Sequence, residues 1–357
     1  MESDDARAIW IVAGCLAAAG SVIAYRNWHR SSQSVAPSLA GSLPDVPEGA
    51  VVSSDAMGTP TKPYAANNWR TLDPEDLSDG RKHQQVQDHV EDGWRTLAVS
   101  LRGKSHAHSG KWREDAFEIA FASGCQIVAV SDGAGSAPLS RVGSEIAAGV
   151  AASALRDFLL MQSPPFTDEC LADGLGLAVE RAYEEVKAQA DRRNIPLRDC
   201  ACTLLLLVHQ PGEKGEPGRI GTLLIGDGAI FLEIDGVTEA REAGDHGSAA
   251  GETLFLTSRS PDLWRSRAIV DTLMAPLDLC LVTTDGIADD FYPFSRHAGQ
   301  LMRGIRRSVL EQKIQPWADS LIEIISYERR GSFDDRTLVL IAPVSESINS
   351  HGDQVKL

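Results

Sequence analysis

The sequence predicts an α+β layered domain in which strands cluster in neighbouring antiparallel hairpins and helices are inserted between the clusters. Three observations lead there. Short β-forming runs bounded by turns recur from Trp94 onward. Several follow one another closely enough to be hairpins. The helical stretches come as long insertions between groups of strands, whereas a parallel sheet would alternate strand and helix one for one. With 357 residues, 43% hydrophobic and 24% charged, the chain can bury a full core and still carry appended segments.

The first element is the run Ile9 to Tyr25 (IWIVAGCLAAAGSVIAY), which carries no charge and is slightly shorter than the roughly 20 residues that cross a bilayer. Glu2, Asp4 and Asp5 precede it and Arg26 and Arg30 follow, the reverse of a cleavable signal peptide. Residues 1–30 are therefore expected to be a single N-terminal transmembrane helix and membrane anchor. The basic flank places everything after Tyr25 in the cytoplasm. Residues 31–92 are rich in Ser, Pro, Ala, Asp and Gln without sustained apolar periodicity, and read as a flexible linker with a span of roughly 45 Å.

The folded domain is expected over 93–343. Its strand candidates are Thr96–Ser100, Phe117–Phe121, Ile127–Val130, Thr203–Val208, Ile220–Ile225, Ala229–Ile234, Leu279–Thr283 and Thr337–Ile341. Helices are expected over Ser140–Leu160, where Val142, Ile146, Val150 and Leu155 fall near one face, from Asp168 to Arg193, and from Trp317 to Tyr327 with Leu321, Ile324 and Ile325 inward. Residues 344–357 form a polar tail. No internal repeat recurs at a fixed period.

Charge and cysteine usage exclude some functions. The net charge of -16, from 50 acidic and 34 basic residues, argues against a sequence-independent grip on nucleic acid. The six cysteines lack the paired spacing of a disulfide framework. Cys200 and Cys202 have no second pair or nearby His to complete a zinc site.

Two segments share one grammar. Ile127-Val-Ala-Val-Ser-Asp132-Gly133 and Leu279-Cys-Leu-Val-Thr-Thr-Asp285-Gly286 are apolar strands that deliver an Asp at their end, with a glycine that lets the backbone bend. Around them stand Glu114-Asp115, Asp227 between two strands, Asp289 one turn after Asp285, and Asp334-Asp335 before the last strand. Carboxylates gathered this way repel one another unless cations neutralise them. Oxygen-only donors select Mg²⁺ or Mn²⁺, and two such ions can activate a water and clamp a phosphoryl group.

These motifs resemble the metal-dependent protein serine/threonine phosphatases of the protein phosphatase 2C type, in particular a divergent bacterial branch. The likeness runs from about Thr96 to Pro343. It is carried by Glu114-Asp115, SDGAGSA at Ser131–Ala137, the Thr-rich strand at Thr203, GDG at Gly226–Gly228, TTDGIAD at Thr283–Asp289 and FDDRT at Phe333–Thr337. The resemblance implies a sandwich of two antiparallel β-sheets flanked by α-helices, with a cleft for two Mn²⁺ or Mg²⁺ ions at one end. It implies hydrolysis of phosphoserine and phosphothreonine by direct attack of a metal-bound hydroxide, without a phosphoenzyme. Its partners would be phosphorylated Ser/Thr proteins and a cognate kinase.

Residue by residue, Asp132 is similar to the carboxylate that bridges both metals, Asp285 and Asp334 to ligands of the first, and Glu114 and the Gly133 carbonyl to ligands of the second. Asp115 is similar to a catalytic residue that holds metal-bound waters. Asp227 and Asp289 resemble the site of a third ion, and Asp335 matches a position beside the ligands. One departure stands out. The family's phosphate-holding Arg, four residues before the Glu, is here Gly110. His106, Lys111 or Arg113 could take its place, and His106 is favoured because the divergent branch carries Gly-x-Ser-His there. Two rival readings are a membrane-tethered pseudophosphatase that binds a phosphoprotein without turnover, and a two-metal phosphoesterase for small phosphate esters.

Overall fold

The computed structural model describes residues 69–212, 217–243, 253–312 and 314–344. The expected anchor at 1–30, residues 31–68 of the expected linker and the tail beyond Val344 lie outside the described residues. Among the described residues no helix is long and apolar enough to cross a membrane.

The described residues form two antiparallel sheets. One contains β1 (Gln84–Glu91), β2 (Trp94–Leu101), β7 (Ala229–Ile234), β8 (Val237–Glu242), β10 (Leu277–Thr283) and β11 (Arg336–Pro343), in the order β1-β2-β11-β10-β7-β8. The other contains β3 (Ala116–Ala122), β4 (Cys125–Ser131), β5 (Leu204–Gln210), β6 (Arg219–Ile225) and β9 (Ile269–Thr272), in the order β3-β4-β5-β6-β9. The central strands are near-continuous apolar runs because both of their faces are covered. Val128 and Val130 of β4 and Leu205 and Leu207 of β5 meet Cys280 and Val282 of β10 and Val339 and Ile341 of β11 in the layer between the sheets. The alternate residues point outward under helices.

On the second sheet, Ile127, Ala129, Leu204 and Leu206 pack under α2 (Ser140–Leu160) and α3 (Asp168–Arg193), after the short α1 (Lys104–Ser109). Ala147, Ala148, Ala151 and Ala152 give α2 a small-residue face that lies close to the strands. The Thr167 hydroxyl accepts from the Cys170 N–H at the start of α3, Asp168 and Glu169 fill its first turn, and Asn194 closes it in the left-handed conformation. After α4 (Pro261–Arg265) and α5 (Asp285–Ala288), the first sheet is covered by α6 (Phe294–Ile305) and α7 (Trp317–Ile325), through Leu301, Met302, Ile305 and Leu321 onto Leu279, Leu281 and Leu340.

Every expected strand is present, and the expected helices are α2, α3 and a slightly shorter α7. The unexpected strands are β1, β8 and β9. All three are sheet edges with mostly exposed side chains, so their sequences carry no apolar alternation. β1 and β8 belong to two-residue hairpins, turning at Asp92-Gly93 and Asp235-Gly236 with positive φ throughout.

The reading of 31–92 as a linker is corrected over its last part. β1 pairs with β2 along its whole length. The preceding segment is strapped across α1 and α2. The Leu72 N–H donates to Ala107 O at 2.9 Å and Trp112 Nε1 to Asp76 O at 2.7 Å. Arg193 grips Asp79 with two bonds of 2.6 Å, and the buried Arg81 donates to Arg141 O at 2.7 Å. A composition rich in polar residues hid this segment, because its contacts are hydrogen bonds to the backbone and the Arg193–Asp79 ion pair instead of apolar burial.

A chain running from Trp94 to Val344 loses these bonds, and is expected to be less stable than one running from Trp69 by ~3 kcal/mol or more. Urea unfolding of the two checks this, and equal midpoints would remove 69–93 from the folded domain.

Candidate metal centre

The antiparallel order of both sheets brings five chain reversals to one end of the sandwich, and each carries acid. Glu114 and Asp115 precede β3, Asp132 follows β4, Asp227 lies between β6 and β7, Asp285 opens α5 after β10, and Asp334 and Asp335 precede β11. Asp132, Asp227 and Asp285 each place a carboxylate oxygen within 4.8 Å of the others, and His106, Asp334 and Asp335 form a second group by the same measure. His106 Nε2 lies 3.7 Å from Glu114 Oε2 and 3.9 Å from Asp334 Oδ1. Asp115 and Asp132 lie close enough for the charge of Asp115 to oppose ionisation of Asp132.

Close approach, not a bend, explains the two Asp-Gly pairs. Gly133 and Gly286 have ordinary φ. A Cβ on Gly133 would stand 2.9 Å from Glu114 O, and one on Gly286 would stand 1.9 Å from Asp335 O. Each glycine lets one acid-bearing loop lie against another.

Asp335 ties these loops together. It is buried, and its Oδ1 accepts from the Gly103 N–H at 2.6 Å and contacts His106 Nδ1 at 2.9 Å. Its Oδ2 accepts from the Glu114 N–H at 2.5 Å and the Asp115 N–H at 3.3 Å. Threonines do the same for the other acids. Thr284 and Thr337 donate to Asp115 Oδ2 at 2.9 and 2.6 Å, and Thr203 Oγ1 accepts from the Asp132 N–H at 2.8 Å. The supporting roles of Asp335, Thr284 and Thr337 were missed from sequence. Their signal was present in the Thr-rich TTDG and DDRT motifs, but it acquires meaning only across strands.

Electrostatics follows from this crowding. Burial, then the neighbouring charges of Asp285 and Asp115, holds the Asp132 carboxyl well above the usual range; burial and Asp227 do the same for Asp285. Burial and Asp335 push Asp115 up to about 6, and burial raises Glu114. Asp335 moves the other way, since its bonds to His106 and to backbone N–H groups outweigh burial. Burial disfavours the His106 imidazolium, yet the bond and charge of Asp335, with Glu114 and Asp334, raise it to about 9.

The sequence-predicted residues are placed as follows. Glu114, Asp115, Asp132, Asp285, Asp334 and Asp227 converge. Gly133 lies beside Asp132 against the Glu114 backbone. Asp289 is half-buried and raised by burial and by the charge of Asp227, but stands outside both close groups. His106 is on α1, not in a loop open to substrate, with its ring enclosed by three carboxylates. Arg113 is buried and donates to Lys82 O and Gln85 Oε1.

The donor set fits a hard divalent cation. It is made of carboxylate oxygens, several raised by burial and then by mutual repulsion, and Glu114 Oε2 is buried without a hydrogen-bond partner.

A sequence model of the family described as protein phosphatase 2C matches residues 102–318. No curated protein matches the chain. Among solved structures, the chain is similar to the Mycobacterium tuberculosis serine/threonine phosphatase PstP/Ppp, at 20% identity over 71% of this chain and 99% of that one, with a TM-score of 0.44. It is also similar to the catalytic domain of the serine threonine protein phosphatase PstP in complex with two manganese ions, at 18% identity over 71% and 99%, TM-score 0.45. A third is RsbX in complex with magnesium, at 15% identity over 72% and 98%, TM-score 0.42.

The pKa shifts set a pH dependence. A carboxyl raised in the folded state binds its proton more tightly there than when unfolded, so Asp115, Asp132 and Asp285 favour folding at low pH and oppose it as pH rises through their folded values. Asp335 contributes stability that is full above its ordinary value and lost as pH falls through its lower folded one, and His106 contributes stability that is full below about 6.5 and lost as pH rises to about 9, so neither offsets this trend. In EDTA the protein is expected to lose stability as pH rises from about 4 through the Asp115 value of about 6, and Mn²⁺ to reverse most of the loss. Asp132→Asn should raise the melting temperature in EDTA by roughly 2–5 °C while removing most of the Mn²⁺ response. Scanning calorimetry checks both, and a variant that melts lower in EDTA would contradict the repulsion.

Proposed function

Because the chain belongs to the protein phosphatase 2C family, we propose that it hydrolyses phosphoserine and phosphothreonine in proteins, using two Mn²⁺ or Mg²⁺ ions held by its acidic cluster. The observation that carries this is the convergence of Asp132, Asp227 and Asp285 within 4.8 Å, beside Glu114 Oε2, which no hydrogen bond satisfies. In this reading Asp132 would serve both ions, Asp285 and Asp334 would help hold one, Glu114 and the Gly133 carbonyl would help hold the other, and Asp227 with Asp289 would hold a weaker third ion. Such ions would supply Lewis acidity for the attacking water and positive charge for the phosphoryl group.

The remaining work belongs to the chain. Thr284 and Thr337 fix one oxygen of Asp115 and leave the other without a threonine partner, so Asp115 can orient and relieve the attacking water of its proton. His106 is assigned a positioning role. Its bond to Asp335 and its approach to Glu114 offset negative charge beside the ligands, in place of the substrate contact expected from sequence. Thiol chemistry is not supported. Burial raises Cys125 and Cys202 to about 12, and raises Cys280, so these thiols stay protonated. A protein kinase must install the phosphate that the reaction removes.

The full chain with Mn²⁺ is expected to release phosphate from phosphoserine and phosphothreonine peptides, with loss in EDTA and no loss after thiol alkylation. Asp132→Asn and Asp285→Asn should each lower kcat roughly a hundredfold or more. Phosphopeptide binding without release, or release from nucleotides in preference to phosphopeptides, would sink the proposal.

We infer also that residues 9–25 anchor the protein in a membrane, with the catalytic domain cytoplasmic, from the uncharged run and the Arg26 and Arg30 that follow it. Carbonate-washed membranes should retain the full chain and release a version lacking residues 1–30; recovery of both in the soluble fraction would overturn the anchor.

A further inference from the structure

We propose that Lys111 is the side chain that holds the substrate's phosphate, an inference that rests on the hydrolytic reading above and names the cation its cleft requires. A phosphomonoester approaches this end of the sandwich as a dianion, toward a wall of carboxylates. A cation with access to solvent and a place beside the ligands favours that approach. The segment between Gly103 and Glu114 offers several.

Geometry separates them. Arg113 is 1% exposed, donates to Lys82 O and Gln85 Oε1, and has no path to a substrate. The buried imidazole of His106 contacts Asp335 with one nitrogen and faces Glu114 and Asp334 with the other. Lys104 pairs with Glu328. Lys111 is paired too, but its partner is Glu114 of the acidic cluster itself. Its side chain is 47% exposed, and its Nζ donates to Gly135 O at 3.0 Å and lies 3.6 Å from Glu114 Oε1. It therefore sits at the rim of the cleft, over the loop that carries Asp132 and Gly133.

Local backbone geometry explains why the cation is one residue later than the family's Arg. α1 ends at Gly110 in the left-handed conformation, φ 66°, and the Gly110 and Lys111 N–H groups both donate to His106 O. An L side chain at position 110 is strained there, so an Arg does not suit this turn. Lys111 is the first residue after the turn that can carry a long cationic side chain, and the turn aims it across Glu114.

The test uses the full chain loaded with Mn²⁺ and inorganic phosphate as the probe. By calorimetry, Lys111→Met should weaken phosphate binding roughly tenfold and Lys111→Arg should recover most of it, as expected for one lost charge-assisted hydrogen bond. Mn²⁺ affinity should be the same in all three proteins. With phosphopeptide, KM should rise in the Met variant by a similar factor, with kcat changed far less. Unchanged phosphate affinity in Lys111→Met would overturn the assignment, as would a parallel loss of Mn²⁺ affinity, which would make Lys111 only a support for Glu114. Failure of the Mn²⁺-loaded protein to bind phosphate would overturn it too. Phosphate binding that depends on Lys111 without any turnover would uphold it while refuting hydrolysis.

Discussion

The buried Asp335 carboxylate, bonded to the Gly103, Glu114 and Asp115 N–H groups and to His106, is the interaction on which the acidic end of this protein depends. It joins the loop before β11, the short helix α1 and the loop before β3. An uncompensated charge at that depth is unfavourable by several kcal/mol, so the four partners must be in place together. Once they are, Glu114 and Asp115 are fixed within reach of Asp132, and Gly286 and Gly133 can pack against the same loops. The rest of the centre is arranged around that knot.

The arrangement works against stability where it serves chemistry. Asp115 is buried and Asp132 and Asp285 beside it are half-buried, all with raised carboxyls, and only a hard cation or a proton relieves them. The surrounding sandwich tolerates this because its three apolar layers are continuous, from the helices α2 and α3, through the inter-sheet layer, to α6 and α7. The acids occupy strand ends, outside those layers. The scaffold thus supplies rigidity, and the loops carry the electrostatic strain.

Legibility in the sequence divides along the same line. Strands covered on both faces, such as β4, β5 and β10, and the long helices α2 and α3 were readable, because burial writes an apolar pattern and caps write punctuation. The edges β1, β8 and β9 were not, since an exposed edge needs no apolar face. Asp92-Gly93 and Asp235-Gly236 mark two of those hairpins, because Asp-Gly accepts the positive φ of a two-residue turn. The strap from Trp69 to Gly80 was invisible for a different reason: it is held by backbone bonds and by Arg193 on Asp79, which have no period.

By itself the sequence determined which acids end which strands, that their oxygens suit hard cations, and the family to which they belong, because residue type and order along a strand are local properties. Only the tertiary structure decided that the glycines after Asp132 and Asp285 serve close packing, that Asp335 is a hub, and that of three candidate cations His106 and Arg113 are enclosed while Lys111 reaches the rim. Those outcomes depend on which loops meet across two sheets and on what each side chain finds there, and distances of that kind are set by the packing of the whole domain.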